Sequence, residues 1–256
     1  MKIVRYEYRE TTGYGTLQGE EILPLQGTLP NFEIVPGASP VQLSDARLLM
    51  PCEPSKIVAV GPNHKGHFRD GRVPPPRTHL WIKPTTSFLD PEGVVMLPKR
   101  PKSVAHEAEI GIVIGRKATR VSPEEAMDYV FGYTCVLDVT ASIGQPDFLG
   151  SQDMIDGKTF DTFGPFGPHI ETELDPNNLR LQCRVNGVVK QDDSTSRMIW
   201  MPAELISQVS YGMTLLPGDI IACGTVPGYS PIRDGDVVEV EVEGIGVLRV
   251  SCKNVV

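Results

Sequence analysis

The chain has 256 residues, 40% of them hydrophobic, and 24 Lys and Arg against 32 Asp and Glu give a net charge of −8. That length fits one large domain, or a main domain with a small appendage. With the acids spread along the chain and no Lys/Arg block, a nucleic-acid partner is not expected. No apolar run reaches membrane-spanning length, and the start "MKIVRYEYRE" lacks the apolar stretch of a signal peptide, so no membrane partner is expected either. The five cysteines, Cys52, Cys135, Cys183, Cys223 and Cys252, are odd in number and never spaced C-x-x-C. They read as buried free thiols in a reducing compartment, which predicts a cytoplasmic protein.

In chain order, "KIVRYEY" and "EEILPLQG" predict short strands, with Gly13, Gly15 and Gly19 punctuating the segment between them. Residues 1–54 are expected to form a small β-rich unit and 55–256 the main domain, whose first apolar run is "KIVAVG" at 56–61. "RVPPPRTHL" is too rich in proline for a helix or a central strand and predicts a loop. "SPEEAMDYV", 122–130, carries a Ser cap, a Pro at the first helical position and Glu125 completing a capping box, and so predicts a helix. A second helix is predicted over "PAELISQVSY", 202–211, ended by Gly212. "LLPGDIIACGT" predicts a turn at Pro217-Gly218 feeding a buried strand. The C-terminal "RDGDVVEVEVEGIGVLRVSC" predicts two alternating strands. Strands outnumber helices and do not alternate with them, so the class is β-rich α+β.

Residues 106–115, "HEAEIGIVIG", place Glu107 and Glu109 on one face of a strand and Ala108, Ile110, Ile112 and Ile114 on the other. Alternating acids can mark a solvated face, the reading given to Glu239, Glu241 and Glu243 in "VEVEVEG" at 238–244. The apolar run that follows Glu109 instead suggests a strand covered on both faces, where paired carboxylates want a cation between them. Asp138, inside "FGYTCVLDVTASIGQ", is either a turn cap or a third oxygen ligand. Oxygen-only ligands favour Mg²⁺, Mn²⁺ or Ca²⁺. His67 is followed at i+3 by Asp70, a spacing that one helical turn would close into an imidazole–carboxylate dyad. An exposed turn is the alternative there. His64, His79, His106 and His169 read as ordinary surface or core residues.

"EAEIGIVIG", "GYTCVLDVTAS…Q", "GKTFDTFGPFGP", "NG…QDDSTSRMIW" and "LLPGDIIACGT" occur in an order and spacing that resemble the fumarylacetoacetate hydrolase (FAH) family over about residues 55–250. The likeness is to its small prokaryotic-type members: acylpyruvate hydrolases, oxaloacetate decarboxylases and 2-hydroxyhepta-2,4-diene-1,7-dioate isomerases. The resemblance implies an FAH-type mixed β-sandwich or roll, a homodimer, and one Mg²⁺ or Mn²⁺ held by Glu107, Glu109 and Asp138. It makes His67 a general base oriented by Asp70, where the family carries a Glu. Lys158 becomes a substrate-contacting stabiliser of enolate charge, and Gln145 and Thr225 substrate contacts. Two departures stand out. Val226 intervenes where the family reads Gly-Thr-Pro, and Ser142 replaces an arginine that commonly grips a substrate carboxylate. A hydroxyl cannot imitate that bidentate grip, so Ser142 predicts a less charged or bulkier substrate. The resemblance implies metal-dependent hydrolysis of a C–C bond in an acylpyruvate-like 2-oxo acid. Decarboxylation, isomerisation and a non-catalytic metal- or ligand-binding role are the alternatives.

Overall fold

The computed structural model describes residues 1–68, 73–142 and 157–255. Successive reversals lay β1 (Lys2–Tyr8), β2 (Thr11–Gln18), β3 (Glu21–Thr28) and β4 (Asn31–Ile34) into an antiparallel meander, flanked by β5 (Val41–Gln42) and β6 (Arg47–Leu49). Here the sequence expectation is corrected: Gly13 and Gly15 lie within a strand. Gly15 is a close-approach position, since a Cβ there would sit 2.2 Å from Ile22 Cγ2. Gly19 does make the turn, at φ +60°.

The fully buried β7 (Ile57–Gly61) pairs antiparallel with β8 (His79–Lys83). The proline-rich stretch is irregular as expected over 73–78, but His79 and Leu80 already belong to β8. Then come β9 (Phe88–Leu89), β10 (Val94–Leu97), β11 (Ser103–Ala105) and β12 (Ala108–Ile114), the last buried at every position. The helix expected over 122–130 is a single 3₁₀ turn, Ala126–Tyr129. The expected capping box is not made: Glu125 N–H donates to the Ser122 carbonyl (3.2 Å) as in a turn, the Ser122 hydroxyl donates to Glu125 Oε2 (3.3 Å), and the 3₁₀ turn has no side-chain cap. The chain must enter β13 (Val130–Leu137) directly, so the costly first turn has no room to propagate.

After β13 follow β14 (Thr140–Ser142), β15 (Gly164–Glu171), β16 (Arg180–Val185) and β17 (Val188–Ser194). The expected helix is α1 (Pro202–Gly212), with Pro202 in its first turn and the Met201 N–H donating to Glu204 Oε2 (2.8 Å). The chain ends through β18 (Ile220–Ala222), β19 (Pro231–Ile232), β20 (Val237–Val242) and β21 (Gly246–Asn254).

Among the described residues a 13-stranded sheet runs β4-β3-β2-β1-β15-β13-β12-β18-β7-β8, with β5, β6 and β9 attached at its side. A five-stranded sheet, β10-β21-β20-β16-β17, covers one face of its centre, and a small sheet, β14-β11-β19, lies beside the site. Ala108, Ile110, Ile112 and Ile114 pack into the cluster that holds Leu181, Cys183, Val238, Val240 and Val250. The opposite face of β12 meets a second cluster containing Trp81, Val136 and Phe166. Burial on both faces is what the near-continuous apolar run required. The acids of "VEVEVEG" lie on a polar face, where Arg184 bridges Glu239 and Glu241. All five cysteines are buried and free. No helix among the described residues is long and apolar enough to cross a membrane.

Candidate metal centre and active site

Strand register assembles the three acids. β12 and β13 are antiparallel with Ala108 opposite Leu137, so Glu107 and Asp138 face each other where the two strands end. The Asp138 N–H donates to the Glu107 carbonyl (2.8 Å), pinning that junction. One carboxylate oxygen from each of Glu107, Glu109 and Asp138 lies within 4.8 Å of the others. Glu109 is 1% exposed, and its Oε2 accepts from the Gly224 N–H (2.7 Å) in the loop after β18.

Two ammonium groups balance this charge. Lys158, 4% exposed, donates to Glu107 Oε2 (2.8 Å) and Asp138 Oδ2 (2.5 Å). Lys83, fully buried, sits 2.7 Å from Asp138 Oδ1, an ion pair poorly aligned for a hydrogen bond. It donates to the carbonyls of Val139 (3.1 Å) and Lys158 (2.9 Å). Sequence reasoning missed Lys83, because a lysine closing a strand ordinarily reaches solvent. Alternation in "HLWIK" does put His79, Trp81 and Lys83 on one face and the exposed Leu80 and Ile82 on the other. Trp81 was missed as well. Its Nε1–H donates to Asp138 Oδ2 (3.3 Å), and its ring centroid lies 4.6 Å from Lys158 Nζ.

Burial is the largest influence on each of these groups. Burial, then the charges of Asp138 and Glu107, hold the Glu109 carboxyl well above the usual range against the pull of Lys158. Burial would also raise Asp138, but the Lys158 and Lys83 charges outweigh it and leave that carboxyl below its ordinary value. Lys83 is pushed down by burial and by Lys158, against the pull of Asp138. Lys158 is raised, since Asp138, Glu107 and Glu109 together overcome its burial. Three carboxylates against two ammonium groups leave one formal negative charge, and Glu109 bears the strain of it. An oxygen-only donor set with that surplus fits a hard divalent cation.

Glu107, Glu109 and Lys158 line a cavity of about 400 Å³ together with His67, Trp81, Thr140, Thr225 and Tyr229, while Asp138 lies buried behind Lys158. His67 ends a one-turn 3₁₀ helix (Lys65–His67), and its Nε2 lies 2.8 Å from the Thr225 carbonyl. A carbonyl only accepts, so Nε2 carries a proton and Nδ1 is left as the basic nitrogen of the neutral ring. The proposed partner Asp70, and Gln145, lie outside the described residues. Ser142 is exposed and pairs across the small sheet with Ser103, whereas Thr140 is the residue of β14 that lines the cavity.

Thr225 is held through a third residue that sequence reasoning missed. Gln191, 1% exposed, donates to Thr225 Oγ1 (2.8 Å) and the Val226 carbonyl (2.5 Å), and accepts from the Ala108 N–H (3.1 Å). The Thr225 hydroxyl donates in turn to the Ala108 carbonyl (2.9 Å). The inserted Val226 therefore presents its carbonyl to Gln191. His106, expected to be an ordinary core or surface residue, is buried and donates from Nδ1 to Gln191 Oε1 (3.0 Å). Nothing in "VVKQDDS" marks Gln191, whose partners are distant in sequence.

An enzyme-like cavity on this fold has known counterparts. The chain belongs to the fumarylacetoacetate hydrolase family: residues 56–253 match the fumarylacetoacetate (FAA) hydrolase C-terminal domain, and residues 1–51 match an Rv2993c-like N-terminal domain. It is 38% identical over 217 residues to the mitochondrial oxaloacetate tautomerase FAHD2A of Bos taurus, covering 80% of this chain and 69% of that protein. The crystal structure of 2-hydroxyhepta-2,4-diene-1,7-dioate isomerase from Mycobacterium marinum superposes with a TM-score of 0.89 at 33% identity, covering 99% of this chain and 98% of the other. Maleylpyruvate hydrolase from Sphingobium sp. SYK-6, solved with manganese(II) and pyruvate, gives a TM-score of 0.82 at 28% identity over 99% of both chains. The FAH-type strand-rich fold expected from the sequence is thus the fold of this protein.

Proposed function

We propose that the chain is a divalent-metal-dependent enzyme of small 2-oxo acids, working through the enolate of its substrate. The observation that carries this reading is the convergence of Glu107, Glu109 and Asp138 oxygens within 4.8 Å, at the wall of a cavity that Glu107, Glu109, Lys158 and His67 line. These three acids would hold Mg²⁺ or Mn²⁺, which when bound would draw electron density from the oxo and carboxylate oxygens of a 2-oxo acid and acidify its C3 hydrogens. His67 Nδ1 takes or returns the C3 proton, with its ring fixed by the Thr225 carbonyl. Lys158 offsets the negative charge that grows on the enolate oxygen. Trp81, Val60 and Pro62 supply an apolar part of the cavity wall.

Keto–enol or double-bond proton transfer is the first reading, since one base and one cation suffice for it. The 38% identity to an oxaloacetate tautomerase supports it. Hydrolysis of an acylpyruvate, the reaction expected from the sequence, adds attack of water on the distal carbonyl and C–C cleavage to the same enolate. The likeness to a maleylpyruvate hydrolase over 99% of the chain favours keeping it as the second reading.

Two assays with Mn²⁺ separate them: decay of enol-oxaloacetate absorbance, and release of pyruvate from acetylpyruvate. The expected result is metal-dependent acceleration of the first. His67→Ala should lose it by about 10²–10⁴-fold, the usual worth of a positioned base, with Mn²⁺ affinity retained. Pyruvate release without enol turnover would replace the first reading by the second, and silence in both assays would remove the proposal.

A further inference from the structure

Asp138 lies between two buried ammonium groups, and each holds a different oxygen. Lys83 is at Oδ1 (2.7 Å), and Lys158 is at Oδ2 (2.5 Å) and also at Glu107 Oε2 (2.8 Å). Lys83 has no freedom to leave. It is fully buried at the end of β8 and is tied to the carbonyls of Val139 and Lys158. A cation approaching Oδ1 would meet that fixed charge, so Oδ2 is the oxygen through which Asp138 can serve as a ligand.

Lys158 is situated differently. Its Nζ already lies 4.6 Å from the Trp81 ring centroid, and both residues line the cavity. An indole face is the aromatic surface that best holds an ammonium group. Trp81 can lie there because Gly61 on the neighbouring strand has no side chain: a Cβ on it would come within 2.8 Å of Trp81 Cη2.

We propose that the Lys158 ammonium is a tethered counter-cation that a divalent ion displaces from Asp138 Oδ2 and Glu107 Oε2, with Lys83 reserving Oδ1 and Trp81 keeping the displaced ammonium at the cavity wall. This rests on the metal centre described above. No covalent bond changes in the exchange; one ion pair is traded for metal–oxygen contacts, and like-charge repulsion keeps both cations from sharing the same oxygens. It gives Lys83 and Trp81 positioning roles. It also couples two events, because the cation that faces the substrate becomes available when the metal arrives.

The test uses full-length protein stripped with EDTA and titrated with MnCl₂ by calorimetry, wild type against Lys158→Met. Removing the competitor should tighten Mn²⁺ binding by about tenfold or more. In parallel, acylation of Lys158 by acetic anhydride is read by peptide mass spectrometry, with the exposed Lys253 as internal standard. In the wild type, saturating Mn²⁺ should raise Lys158 labelling at least about threefold, an outcome independent of whether the variant folds. Equal or weaker Mn²⁺ binding by Lys158→Met, or labelling that stays level or falls with Mn²⁺, would overturn the exchange while leaving the metal centre standing. Failure of both proteins to take up Mn²⁺ at millimolar concentration would overturn the metal centre and the exchange together.

Discussion

Glu109 and Asp138 are both buried carboxylates at one site, yet their surroundings push them in opposite directions. Glu109 is held high by burial and by its acidic neighbours, so its ionised form costs the fold stability. Asp138 is held low by two lysines and anchors both of them. Substitution should expose the difference. A Gln at position 109 keeps an oxygen for the Gly224 N–H and removes the charge. Metal-stripped Glu109→Gln is therefore expected to melt no lower than the wild type at pH 8, and to lose Mn²⁺ affinity by about a hundredfold or more, since few charged ligands remain to offset dehydration. Asp138→Ala should lose the metal and the fold's stability together, because it strands the Lys83 ammonium. Paired thermal melts and Mn²⁺ titrations check this; a Glu109→Gln protein that melts well below the wild type would show that the charge supports the fold.

At the scale of elements, what the sequence disclosed follows the range of the forces involved. Alternation is local, so the two faces of β12 and the approach of Glu107 and Glu109 could be read directly from "HEAEIGIVIG". The capping signals of α1 are local too, and that helix is where they place it. The same kind of signal at Ser122–Glu125 yields only a 3₁₀ turn, because the start of β13 limits its length. The hidden half of the site is non-local. Lys83 and Asp138 are 55 positions apart in the numbering and meet through the β7–β8 pairing at the sheet edge. Gln191 reaches the site from the other sheet. β8 thus carries a buried cation on an edge strand, and removing it should be costly. Lys83→Met is expected to destabilise the protein by about 3–5 kcal/mol, the usual result of breaking one side of a buried pair. For a chain of this length that is a fall in Tm of roughly 6–20 °C at about 2–4 °C per kcal/mol. A melt within about 2 °C of the wild type would show that Lys158 alone can neutralise Asp138.

The whole molecule is joined by β15, which receives β1 on one side and β13 on the other. Lys2 pairs with Glu171 and Ile3 with Ile170, so the N-terminal meander continues the large sheet through a contact between residues nearly 170 positions apart. The Met1 ammonium also bonds Glu171 Oε1 at 2.7 Å. A pairing so distant in sequence leaves no local trace, which is why β1 and β3 of the meander could be foreseen and its attachment could not. His169 lies at this seam, 5% exposed, with no hydrogen-bond partner for its Nε2 among the described residues. Burial, reinforced by the charges of Lys2 and the N-terminus against Glu171, lowers its pKa from 6.5 to about 4. Between those values the unfolded chain binds a proton that the folded chain refuses, so stability rises with pH across the window and is lost as pH falls from 6.5 towards 4. The shift corresponds to about 2–3 kcal/mol between pH 7.5 and pH 4.5. His169→Phe removes the titration and the unpaired nitrogen together. Urea unfolding of metal-stripped protein at both pH values is expected to show the variant losing about 2–3 kcal/mol less than the wild type on acidification. Parallel losses in the two proteins would mean that His169 gains its proton without opening the seam, and that carboxylates elsewhere set the acid limit.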